Sequence, residues 1–88
     1  MINSFEEAVE TFDAARMAYR DGEYRMALGM FSELAHFVNS SRAKSEIPAE
    51  QLDPLRADVR RAIAGYQSCD DEFAWERASG LHDLFPQD

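Results

Sequence analysis

Ala14-Ala15-Arg16-Met17-Ala18-Tyr19-Arg20-Asp21-Gly22-Glu23-Tyr24-Arg25-Met26-Ala27 is the stretch that decides the fold. Asp21-Gly22 interrupts two runs of helical periodicity. Glycine suits the left-handed backbone at a helix C-terminus, and Asp21 is able to cap the helix that follows. Upstream, Phe5, Ala8, Val9, Phe12, Ala15 and Tyr19 recur at helical spacing. Ser4 and Glu7 form a capping box, with Ser4 accepting from the amide of Glu7 and the carboxylate reaching back. Glu6, Glu7 and Glu10 lie near the positive end of the helix dipole, and Arg16 and Arg20 near the negative end. The first helix is therefore expected over about 4–20. Downstream, Tyr24, Ala27, Leu28, Phe31, Leu34, Ala35 and Val38 form the stripe of a second helix, over about 23–38. Met26, Met30 and Phe37 form another stripe on the same helix. A helix apolar on more than one side is buried from more than one side, or offers part of its surface to a partner.

Further along, Asn39–Glu46 is polar and carries Ser40, Ser41, Arg42, Lys44 and Ser45, which predicts an exposed loop. Asp53-Pro54 reads as a helix start, Asp as N-cap and Pro in the first turn. Residues 48–52 read as a separate short turn or as a first turn running into the main helix; the favoured expectation is one third helix over about 53–67, preceded by a helical turn. Leu52, Leu55, Val59, Ala62, Ile63 and Tyr66 make its apolar side; Arg56, Arg60 and Arg61 occupy the other. Ser68-Cys69-Asp70 breaks the pattern. A fourth helix is expected over about 71–84, with Ala74, Ala78, Leu81 and Phe85 in line and Phe73, Trp75 and Leu84 widening the stripe. No sustained alternation of period two competes. The predicted fold class is all-α: a compact four-helix bundle of two antiparallel helix pairs, one domain over 1–88.

The segment 8–41 resembles a tetratricopeptide repeat. Gly22, Glu23, Tyr24, Ala27 and Phe31 match the family's turn, close crossing and core aromatic, and Ala15 stands at its small-residue position. The chain departs from the pattern at Ala14, where the family prefers Leu, and at Leu34, which replaces the final Ala. It also departs at Asn39, in place of the closing Pro, and at Thr11, in place of the early Trp. From Ala62 onward only a degenerate echo remains. The resemblance implies protein or peptide binding on a concave helical surface without chemistry of its own. Repeat arrays need about three units to bury their faces. With at most two helix pairs, this chain is expected to fold as a compact bundle, to dimerise, or to dock its open face on a larger partner.

Composition narrows the function classes. The 88 residues carry 17 acidic and 9 basic side chains, a net charge of -8. That sign disfavours direct nucleic-acid binding, which depends on neutralising phosphates. No run approaches the ~20 apolar residues of a membrane span. No secretory signal is legible at the N-terminus, so a cytoplasmic location is expected. Cys69 alone supports no disulfide, and its neighbours Asp70 and Asp71 oppose a reactive thiolate. His36 reads as a half-buried or rim histidine and His82 as a cation near a helix C-terminus. Asp70, Asp71, Glu72 and Glu76 make a conceivable weak cation site, but such runs are ordinarily solvated N-terminal charges. No catalytic residues, metal site or cofactor is expected; the chain reads as a non-enzyme.

The main functional expectation is a small cytoplasmic adaptor or chaperone-like module that binds another protein, or itself as a homodimer, through an apolar helix surface. Its candidate residues are Met26, Met30 and Phe37, with Arg42 on the rim. At least one of Met26 and Met30 is expected in the core. The alternative is an acidic inhibitor or immunity-type protein that blocks a basic, nucleic-acid-binding surface of its target. Charge is concentrated for such a role: net -4 over 1–33, +1 over 34–61 and -5 over 62–88. Its candidate contacts are Glu6, Glu10, Asp70, Asp71, Glu72 and Glu76.

Overall fold

A computed structural model describes residues 2–69 of the chain, with side chains as far as Gly65. The fold is all-α, with no strand among the described residues. The elements are α1 (Phe5–Arg20), α2 (Tyr24–Val38), α3 (Ser41–Glu46) and α4 (Ala49–Cys69). The expected helix over 71–84 lies outside the described residues. The Cα radius of gyration is 12.3 Å, near the roughly 12 Å of a compact domain this size.

The start of α1 follows the capping pattern with one difference. The amide of Glu7 donates to Ser4 Oγ (3.1 Å), but the Glu7 carboxylate accepts from the amide of Asn3 rather than of Ser4 (3.1 Å). At the other end Gly22 takes φ +83°. The amide of Gly22 donates to the carbonyl of Tyr19 (3.1 Å) and that of Glu23 to Ala18 (2.9 Å), satisfying carbonyls the helix leaves open. Asp21 does not cap α2. It is the C-cap of α1, and Glu23 stands at the α2 N-cap without a side-chain bond.

Small residues let α1 and α2 approach. The buried positions of α1 are all alanine: Ala8, Ala15 and Ala18. They face Ala27, Phe31, Leu34, Ala35 and Val38, the buried side of α2. Phe12 meets the ring of Phe31 edge-on at 6.3 Å, and Tyr19 lies 5.2 Å from Tyr24. Val9, placed on the α1 stripe by spacing, is exposed instead.

The expected loop over 39–46 is helical from Ser41 to Glu46. Ser40 is its N-cap, accepting from the amide of Ala43 (3.1 Å). Ala43 and Ile47, four residues apart, are both buried, which gives this short turn an inward face.

The expected start of the third helix is also corrected. Asp53 is not an N-cap; α4 begins at Ala49, where the Pro48 carbonyl accepts from Gln51 and Leu52 (both 2.9 Å). Pro54 sits inside the helix. Its missing amide deprives only the carbonyl four residues back, that of exposed Glu50, of an intrahelical donor. Leu52 and Leu55 are both buried, and the helix continuous through Pro54 places them on one inward side. Val59 and Ile63 continue the buried side. Ser68 and Cys69 extend the helix rather than break it.

Candidate partner-binding face

The α2 helix presents its polar side outward through Arg25, Gly29, Glu33 and His36. Met26 stands on this outer surface with 51% of its area exposed. Met30 and Phe37 are half-buried and pack against the core. Spacing places Met26, Met30 and Phe37 along one edge of the helix, roughly three turns or about 16 Å long.

At the C-terminal end of this edge lies a cleft of about 410 Å³ lined by Ile2, Ser32, Glu33, His36, Phe37, Ser40 and Arg42. Ile2 and Phe37 supply apolar walls. Glu33, His36 and Arg42 are exposed at the rim, so His36 is a rim residue. Arg42 is held in place: its Nε donates to Glu46 Oε2 (3.1 Å) and its Nη2 to the Asn3 carbonyl (3.3 Å). The bond to Asn3 ties α3 to the segment before α1. The structure thus brings Phe37 and Arg42 together, while Met26 and Met30 lie further along α2.

Helix α2 ends on satisfied carbonyls. Asn39 Nδ2 donates to Ala35 (2.9 Å), Ser40 Oγ to Phe37 (2.7 Å), and Arg56 Nε and Nη2 to Val38 (3.2 and 3.0 Å). These bonds hold the end of α2, and with it Phe37, at the cleft.

Two further surfaces were not anticipated from sequence. A groove of about 380 Å³ between α1 and α4 is lined by Phe12, Arg16, Asp58, Arg61 and Ala62, with the Arg16 guanidinium 5.5 Å from the Phe12 ring centre. A hollow of about 580 Å³ is lined by Asp13, Arg16, Met17, Tyr19 and Arg20. Met17 is 54% exposed there, off the α1 stripe; its departure from the stripe was the available signal.

Asp70, Asp71, Glu72 and Glu76 lie outside the described residues, as do His82 and the side chain of Cys69. Among the described residues no group of three or more His, Cys, Asp or Glu side chains is placed to hold a metal ion. None of the described helices is long and apolar enough to cross a membrane. No family model matches the chain, and no curated protein or solved structure is significantly similar to it.

Proposed function

We propose that this chain is a small protein-binding module of the adaptor or chaperone-like kind, built on a hairpin that resembles a tetratricopeptide repeat. The observation that carries the reading is Met26. Met26, a flexible apolar side chain 51% exposed, shares one edge of α2 with half-buried Met30 and Phe37, which supports an adaptable apolar binding strip there. Phe37 and Arg42 extend the face at the adjoining cleft, one apolar and one charged, which is the make-up of an interface centre and its rim. A cytoplasmic setting suits such a role. Affinity purification from the native host, comparing the natural chain with a Met26→Asp/Phe37→Asp variant, tests it. A protein retained by the first and lost by the second supports the reading; equal retention, or none by either, contradicts it.

One observation favours the acidic-inhibitor reading: Glu6, Glu7, Glu10 and Asp13 are all exposed along α1. Under that reading, affinity for a basic target falls steeply with salt, and charge reversal at Asp71 and Glu72 weakens binding more than changes at Met26.

A further inference from the structure

The cleft beside the C-terminal end of α2 has walls that are held in place. Its volume of about 410 Å³ falls in the ~300–1,000 Å³ range of ligand-binding clefts. Ile2 and Phe37 are its apolar walls. The Ile2 wall is fixed through the next residue. The Asn3 amide donates to Glu7 Oε2 (3.1 Å), and the Asn3 carbonyl accepts from Arg42 Nη2 (3.3 Å). The Phe37 wall is fixed by the Ser40 hydroxyl, which donates to the Phe37 carbonyl (2.7 Å). An apolar side chain entering here orders little of the protein, so the entropic cost of binding is kept low.

Charge at the rim decides what accompanies that side chain. Arg42 is compensated, because its Nε pairs with Glu46 at 3.1 Å. Glu33 is exposed on the same rim and has no ion-pair partner among the described residues. The rim therefore carries an uncompensated carboxylate, in a chain of net charge -8. The Ser32 hydroxyl and the His36 imidazole, also at the cleft, are able to hydrogen-bond peptide main-chain groups.

We propose that this cleft takes a peptide segment of the partner protein in which an apolar side chain stands next to a lysine or arginine. The apolar side chain sits between Ile2 and Phe37, and the basic one pairs with Glu33. An acidic segment is repelled by Glu33 and by the net charge of the chain. The inference deepens the partner-binding reading and rests on it for the partner being a protein.

The experiment is titration of the isotope-labelled full chain with three acetylated and amidated peptides: Lys-Leu-Leu-Lys, Glu-Leu-Leu-Glu and Lys-Ser-Ser-Lys. Amide chemical shifts are read at low salt and about pH 7.5, where an ordinary imidazole is mostly neutral. The expected result is saturable shifts at Ile2 and over residues 32–42 with Lys-Leu-Leu-Lys, and weaker binding of the other two. Glu33→Gln, a change at an exposed position, is expected to weaken Lys-Leu-Leu-Lys by about two- to fivefold, the span of an exposed ion pair. It should leave Glu-Leu-Leu-Glu no weaker. Equal affinity for the lysine and glutamate peptides overturns the proposal, as does binding unmoved by Glu33→Gln. Shifts centred on the α1–α4 groove, or no binding by any peptide, also overturn it. So does Lys-Ser-Ser-Lys binding as tightly as Lys-Leu-Leu-Lys, because charge alone then suffices. The titrations use no host protein, so failure of partner capture leaves them unaltered. Partner capture that persists when no peptide binds removes this peptide class alone.

Discussion

Arg56 donates two hydrogen bonds, from Nε and Nη2, to the main-chain carbonyl of Val38 (3.2 and 3.0 Å), and so joins α4 to the C-terminal end of α2. The same guanidinium pairs with Asp53 at 2.8 Å. A cation at this end of α2 satisfies a carbonyl with no intrahelical donor and faces the negative end of the helix dipole. The Arg56 side chain is only 17% exposed, whereas Asp53 is 62% exposed. The bonds to Val38 therefore matter more than the ion pair. Arg56→Ala is expected to lower stability by about 1.5–3 kcal/mol in urea unfolding. Asp53→Ala is expected to cost less than about 1 kcal/mol.

Phe31 is fully buried and meets Phe12 edge-on at the centre of the hairpin. Phe31→Ala is expected to cost about 3–5 kcal/mol. For a domain this small that is a large share of the total, and thermal unfolding should show a much lowered midpoint. A loss under about 1 kcal/mol is incompatible with the central place given to α2.

Gly22 holds a positive φ of 83° between α1 and α2, and a Cβ there meets nothing within 4 Å. Gly22→Ala therefore suffers from backbone conformation and not from crowding. The expected loss is about 1–2 kcal/mol, readable by chemical denaturation with the secondary structure unchanged.

Much of the helical hairpin is legible in the sequence, because its signals are local. Ser4 and Glu7 start α1, Gly22 ends it, and the periodicity of α2 places Ala27, Phe31, Leu34, Ala35 and Val38 inside, where they are found. The errors arise where two local signals conflict. Serines at 40, 41 and 45 read as loop, yet Ser40 is a cap and Ala43 with Ile47 supplies an inward face. Pro54 reads as a helix start, yet burial of Leu52 as well as Leu55 carries α4 through it. Of the candidate face, the Met26 edge was legible from spacing, and of the two methionines Met30 is the one packed against the core. The Phe37–Arg42 cleft owes its walls to Ile2, and Arg42 is fixed by the carbonyl of Asn3. Arg56 reaching Val38 is a relation of the same kind. Pairings between residues this far apart leave no periodicity along the chain.

The Ser40 cap offers a check on α3. Ser40 Oγ accepts from the amide of Ala43 (3.1 Å) and donates to the carbonyl of Phe37 (2.7 Å), so one hydroxyl joins the start of α3 to the end of α2. Ser40→Ala is expected to cost about 1 kcal/mol and to raise amide hydrogen exchange over 43–47. Unchanged exchange there would mean that burial of Ala43 and Ile47 alone holds the turn.

In the proposed function, α2 offers a protein-binding face running from Met26 to the Phe37–Arg42 cleft. Hydrogen–deuterium exchange of the chain, alone and with the protein it captures from its host, tests this most directly. The predicted result is slower exchange in the complex over residues 25–42. Slower exchange confined to α1 and the α1–α4 groove, around Asp13–Arg20 and Asp58–Ala62, would contradict it.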